Sequence, residues 1–261
     1  MPTPARYRTA LPAALLAVAA PVTLAACGAT APPPAVPAAP PSAPVATAPV
    51  EPAPTAAPAP PAAFDHLPLW PFADAGQARA WQESSRSGGH QPWHLDPAAT
   101  ALAFTGGYLG FSGIDRVTGV TVSGDEAWVG VGLALPDGRD STAAQVHLAR
   151  LGTGDDAPWE VVGTRDTDLV LDTPRYGAAV RSPLTVGGTI TGVDESLRVR
   201  VLGPDGPVGE HCCSPAGGEA TRWSVGVPLT DPPAGVLTVV VSTGGHVADV
   251  ERFAITGVRV G

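Results

Sequence analysis

The chain has 261 residues, length enough for two ordinary domains, with 31 Pro and 31 Gly, a high content for a packed globule. Charged residues make up only 15%, the net charge is −9, and all 15 basic residues are Arg with no basic run among them. An acidic chain of this kind is repelled by nucleic acid and by anionic lipid head groups, so no nucleic-acid partner is expected.

The chain opens on a short positive region, Arg6 and Arg8, followed by an uncharged stretch from Thr9 to Ala26. Its apolar core, ALPAALLAVAA, falls short of the roughly 20 residues a spanning helix needs, and Pro12 and Pro21 weaken it further. The pattern predicts an export signal over 1–26. Its removal would take the net charge from −9 to about −11, because Arg6 and Arg8 go with it.

The signal ends in Leu24-Ala25-Ala26-Cys27, which resembles the lipobox of bacterial lipoproteins. That resemblance implies a diacylglyceryl group on the Cys27 sulfur, cleavage before Cys27, and residence on the extracytoplasmic face of the cell membrane. Two or three acyl chains together hold a protein firmly at a membrane, whereas one chain does so only marginally.

Residues 27–63 follow as a tether, almost wholly Ala, Pro, Val, Thr and Ser, with Glu51 as the one charge. Proline fixes φ and removes backbone donors, so the segment favours extended polyproline-like structure. At about 3.1 Å per residue it spans on the order of 110 Å when fully drawn out. The alternative, a docking site for a proline-binding module, lacks a PxxP register set among charges.

A first folded part is expected over 64–174. Asp74 is a helix start signal before AGQARAWQES, and Asp96 with Pro97 is a second. Leu102, Thr105 and Leu109 share a helical face, with Gly106-Gly107 as a candidate early stop. The period then changes to two. In EAWVGVGLA the residues Ala127, Val129, Val131 and Leu133 alternate with Trp128, Gly130 and Gly132. A turn at 123–125 joins this strand to RVTGVTV, and AAQVHLARL, PWEVVGT and DLVLD read as further strands. Helices followed by an antiparallel meander form an α+β pattern. That order, with a late Trp-bearing strand PWEVV, resembles the cystatin-like or nuclear-transport-factor-like cone, and some relatives of that cone are enzymes with a pocket.

The candidate chemical groups here are His90, His94, His147, Asp115 and Asp125. Pro92 interrupts any regular helix between His90 and His94, and no third metal ligand stands at a familiar spacing. His147 alternates away from Val146 and Leu148, which predicts a solvated strand position. There is no G-x-S-x-G, no phosphate-cradling Gly loop and no H-E-x-x-H, and GFSGI around Ser112 lacks the spacing of a nucleophile elbow. No catalytic residue, resident metal or cofactor is expected.

A second folded part is expected over 175–261. SPLTVGGTITG and SLRVRVLG read as two strands separated by a turn-rich loop, with Leu197, Val199 and Val201 facing one way and Arg198 and Arg200 the other. RWSVGVPL, GVLTVVVSTGG and VERFAITGVRV follow at even spacing, which predicts an all-β sandwich and a chain that is mainly β in total. Ser182-Pro183-Leu184, Val186-Gly187-Gly188, the Val199/Val201 strand and the closing VERFAITGVRV resemble the immunoglobulin-like domain of bacterial spore germination proteins, the Gmad family. That resemblance implies an extracytoplasmic scaffolding or adhesive role, with Pro183 opening an edge strand, the glycines serving tight turns, and no catalytic residues to carry over.

EHCCSPAGG departs from this pattern. Cys212 and Cys213 are adjacent, and with Cys27 lipidated they are the only thiols left. Three states are open: a vicinal disulfide, which closes almost no loop and would stiffen one turn; free thiols or intermolecular bridges; or a metal or redox site using Glu210, His211, Cys212 and Cys213. The functional expectation is a non-enzymatic, lipid-anchored envelope protein whose partner is an envelope or cell-wall component. The alternatives are a metal or thiol-redox protein at His211–Cys213 and an enzyme using a pocket in 64–174.

Overall fold

The computed structural model describes residues 64–89, 91–165 and 167–261. The signal, Cys27, the tether and His90 lie outside these residues. The described chain is mainly β, with two antiparallel sheets.

Local signals fix the helices. Helix α1 (Ala75–Arg86) starts where the Asp74 carboxylate accepts from the backbone N–H groups of Gly76 and Gln77, at 2.7 and 2.9 Å. Helix α2 (Pro97–Leu102) starts the same way at Asp96, with Pro97 in the first turn. Gly106-Gly107 does not simply end it: α2 widens into a π-helical turn over Ala103–Tyr108 that contains both glycines. Among the described residues no helix is long and apolar enough to cross a membrane.

The first sheet is a meander of β1 (Arg116–Ser123), β2 (Glu126–Ala134), β3 (Asp140–Arg150) and β4 (Trp159–Arg165), in that order. Alternation sets its inner face: Ala127, Val129, Val131 and Leu133 of β2 and Ala144, Val146 and Leu148 of β3 are buried against Phe104, Leu109 and Ile114. The strap 64–72 pairs with the backbone of β4, where Leu69 N–H donates to Val161 O (3.1 Å) and Val161 N–H to Trp70 O (2.7 Å). Leu67, Leu69 and Trp70 join the inner core, while His66 reaches the opposite face at Glu126.

The second sheet contains β5 (Leu169–Thr173), β6 (Leu184–Gly203), β7 (Gly206–Val227), β8 (Gly235–Thr243) and β9 (Arg252–Val260). Its order is β5-β6-β8-β9, with β7 paired to β6. Several details differ from the sequence reading. SPLTVGGTITG and SLRVRVLG are the two ends of one strand, β6, interrupted by register shifts rather than by a loop. Pro183 therefore precedes a central strand, because β6 pairs with β5, β7 and β8. Gly188 is not at a turn: a Cβ there would lie 1.9 Å from Val170 O, so β5 can approach β6 only because the residue is glycine. DLVLD, placed by its position in the first part, supplies β5 of the second sheet.

Strand β9 is buried on both sides. Phe253 and Ile255 join the core of the first sheet, while Ala254 and Val258 join a second core with Leu197, Val199, Val201 and Trp223. Two further ties fasten the second sheet to the first part: Ile255 N–H donates to Thr164 Oγ1 of β4 (2.9 Å), and Arg200 Nη2 of β6 donates to the carbonyl of Leu109 at the end of the π-helical turn (2.6 Å). All described residues belong to one compact unit.

Candidate functional site

Residues far apart in sequence converge on the strap-covered face of the first sheet. Trp128 of β2 and His147 of β3 are direct cross-strand partners, and Glu126, two residues before Trp128, lies diagonal to His147. The rings of Trp128 and His147 stack at 3.9 Å with planes 8° apart, and the Arg165 guanidinium lies 4.1 Å from the Trp128 ring centroid. This stacking holds the His147 imidazole in one plane.

The strap brings the third member. Tyr176 Oη accepts from Leu67 N–H at 2.5 Å, which fixes the chain beside His66. His66 Nε2 then lies 3.0 Å from Glu126 Oε1, and His147 Nε2 contacts Glu126 Oε2. One carboxylate thus accepts from two imidazoles, one on each oxygen. The imidazole rings stand edge to face, 5.3 Å apart. Burial pushes the His147 pKa down, opposed by Glu126.

The three side chains are 17–41% exposed and form a wall between two recesses. One, of about 380 Å³, opens beside His66 and His147 toward Thr164, Arg175 and Tyr176. The other, of about 470 Å³, lies beyond His66 and Glu126 and reaches Arg79, Arg86 and Arg150.

The groups expected from sequence fare differently. His147 is not a solvated strand residue: it is stacked, mostly buried and paired, because the strap covers the face that alternation turns away from the core. Asp115 is exposed beside Arg116 (3.3 Å), and Asp125 sits in the β1–β2 turn, where its carbonyl accepts from Arg150 N–H. Cys212 and Cys213 have their sulfurs joined within strand β7, opposite Arg198 of β6, rather than in a turn. His211 Nε2 bonds to Ser214 Oγ (2.8 Å). Among the described residues, His66, Glu126 and His147 are the group whose ligand atoms gather around one point, and Glu210, His211, Cys212 and Cys213 do not.

His94 is 3% exposed, packed against Phe72, Trp81 and Trp93, and burial lowers its pKa to about 4. The unfolded chain takes up that proton first, near its ordinary value of 6.5, so stability present above pH 6.5 drains away as pH falls toward 4. The full loss is on the order of 3 kcal/mol. Urea unfolding at pH 4.5 and pH 7 should show it in the wild type and a much smaller difference in His94→Leu.

Sequence reasoning missed His66 and Glu126. Period two places Glu126 on the Trp128 face, and the register from the β2–β3 turn would have set it near His147, but nothing local announces the strap. Comparison with known protein families, curated proteins and solved structures finds no match for this chain.

Proposed function

We propose that this chain is a lipid-anchored protein of the bacterial cell envelope that acts by binding rather than by catalysis. In this reading Cys27 carries the lipid on the extracytoplasmic face, 27–63 is the spacer, and the folded body meets an envelope or cell-wall component. The meander with its helices plays the part of the cystatin-like cone expected over 64–174, and the second sheet, which also takes β5 from that range, that of the immunoglobulin-like sandwich expected over 175–261. The likeness to the Gmad family points to spore germination or wall processes as the setting, with no nucleic acid involved.

The observation that carries the reading is the order of segments. An uncharged apolar stretch ends at Leu24-Ala25-Ala26-Cys27, a nearly chargeless Pro/Ala stretch follows, and the folded body begins at its end. The folded body opens on the strap, which is held to the rest of the body through Leu67 and Leu69.

Palmitate labelling with membrane fractionation tests it. The wild type should take up label, sediment with membranes and show the mass of a chain starting at Cys27 with added acyl groups. Cys27→Ala should lose both label and sedimentation. An unacylated wild-type chain in the cytosol overturns the proposal.

A further inference from the structure

We propose that His66, Glu126 and His147 bind one divalent transition-metal ion of the zinc class, which clasps the start of the folded body to the first sheet. The donor set carries the choice of ion. Two imidazole nitrogens and one carboxylate, with a fourth position left to water, is a combination that zinc accepts. Magnesium and calcium demand shells of oxygen, and this site offers one carboxylate.

Geometry carries the rest. The three ligand atoms all lie within 4.8 Å of one another. Bonds of about 2.0–2.1 Å in a tetrahedron place ligand atoms roughly 3.4 Å apart, a set that small side-chain rotations of His66 and Glu126 would complete. Both rings aim the same atom, Nε2, at the Glu126 carboxylate, one at each oxygen. His147 is already immobilised by Trp128. Water reaches the fourth position from the recess of about 380 Å³ beside the two histidines.

The ion would have a mechanical consequence. His66 belongs to the strap, whereas Glu126 and His147 belong to β2 and β3. A single ion would therefore join the strap, at the point where the spacer enters the body, to the centre of the sheet. This site is distinct from the Cys212–Cys213 pair, and it does not depend on the lipid anchor.

The test uses the full mature chain, untagged, purified in detergent and freed of metal. Calorimetric titration with Zn²⁺ should show one ion per chain, and Mg²⁺ should give no heat. His66→Ala and Glu126→Gln, which remove ligands outright, should each weaken Zn²⁺ binding by no less than the roughly 10–100-fold that losing an outer-shell partner costs, while His211→Ala leaves it unchanged. Zn²⁺ should also raise the wild-type Tm and slow proteolysis within 64–67, with neither effect in His66→Ala. His66 lies on the strap, so that variant keeps the sheet intact, and circular dichroism verifies it. Absence of Zn²⁺ uptake, or uptake that survives both substitutions, overturns the proposal and leaves an ion-free His–Glu–His network. The outcome is separable from the anchor question, because the Cys27→Ala chain should bind Zn²⁺ equally well.

Discussion

Glu160→Gln should flatten the fall in stability that accompanies rising pH above 4.5. Glu160 lies in β4 with no exposed surface. Its Oε2 accepts from Phe72 N–H at 3.1 Å, and its Oε1 is buried without a hydrogen-bond partner in the protein. Burial raises its pKa well above the ordinary 4.5, against smaller opposing effects from the Phe72 and Trp70 backbone. The folded state therefore keeps a proton that the unfolded state has already released. Stability is complete below pH 4.5 and falls as pH rises toward the folded value, by at most about 1.4 kcal/mol per pH unit.

Glutamine keeps the shape and the acceptor for Phe72 while removing the titration. Its amide brings donors that lack partners, so the absolute stability of the variant carries an offset, but its slope should vanish. His94 bends the profile the opposite way between pH 6.5 and 4, so the comparison is made in a His94→Leu background. Urea midpoints followed upward from pH 4.5 should fall for His94→Leu and stay level when Glu160→Gln is added. Parallel slopes would mean that the carboxylate ionises inside the fold at little cost, and the account of Glu160 would be wrong.

Glu160 also shows which parts of this molecule sequence reveals. Asp74, and Asp96 with Pro97, were legible because capping is a contact between residues two or three apart. The alternation in β2 and β3 named Val129, Val131, Val146 and Leu148 as core, because one face of that sheet meets the helices and β9. The same alternation assigned His147 to solvent, and would do so for Glu160. Parity says which residues leave the core face, but not what covers the other one. Here the cover is the strap, whose His66 stands 60 residues from Glu126. The second sheet was obscured differently. Gly187-Gly188 resembles a turn, yet the missing side chains admit a neighbouring backbone, and the resulting strand runs past several register shifts that no pattern of period two survives.

The interlocking of the sheets makes a further result expected: Phe253→Ala should destabilise both sheets together, by about 3–5 kcal/mol. Phe253 is 1% exposed, and its ring lies 5.4 Å from that of Phe111. It belongs to the same core as Val129, Val146 and Val161 of the first sheet and Val240 of its own. On the same strand, Ala254 and Val258 serve the other core, so a cavity at 253 loosens a strand on which both cores depend. A loss of that size is a large part of the roughly 5–15 kcal/mol that holds a domain together. Hydrogen exchange followed by mass spectrometry reads the two sheets separately. Peptides from β2–β3 and from β7–β8 should lose protection at one denaturant concentration, and that concentration should fall by the same amount in the variant. Two foldable parts divided at residue 174 would behave otherwise: the 175–261 peptides would exchange early while β2 and β3 kept their wild-type midpoint. That pattern would show β9 to be a contact between independent domains, whereas simultaneous loss makes it the shared wall of a single cooperative core.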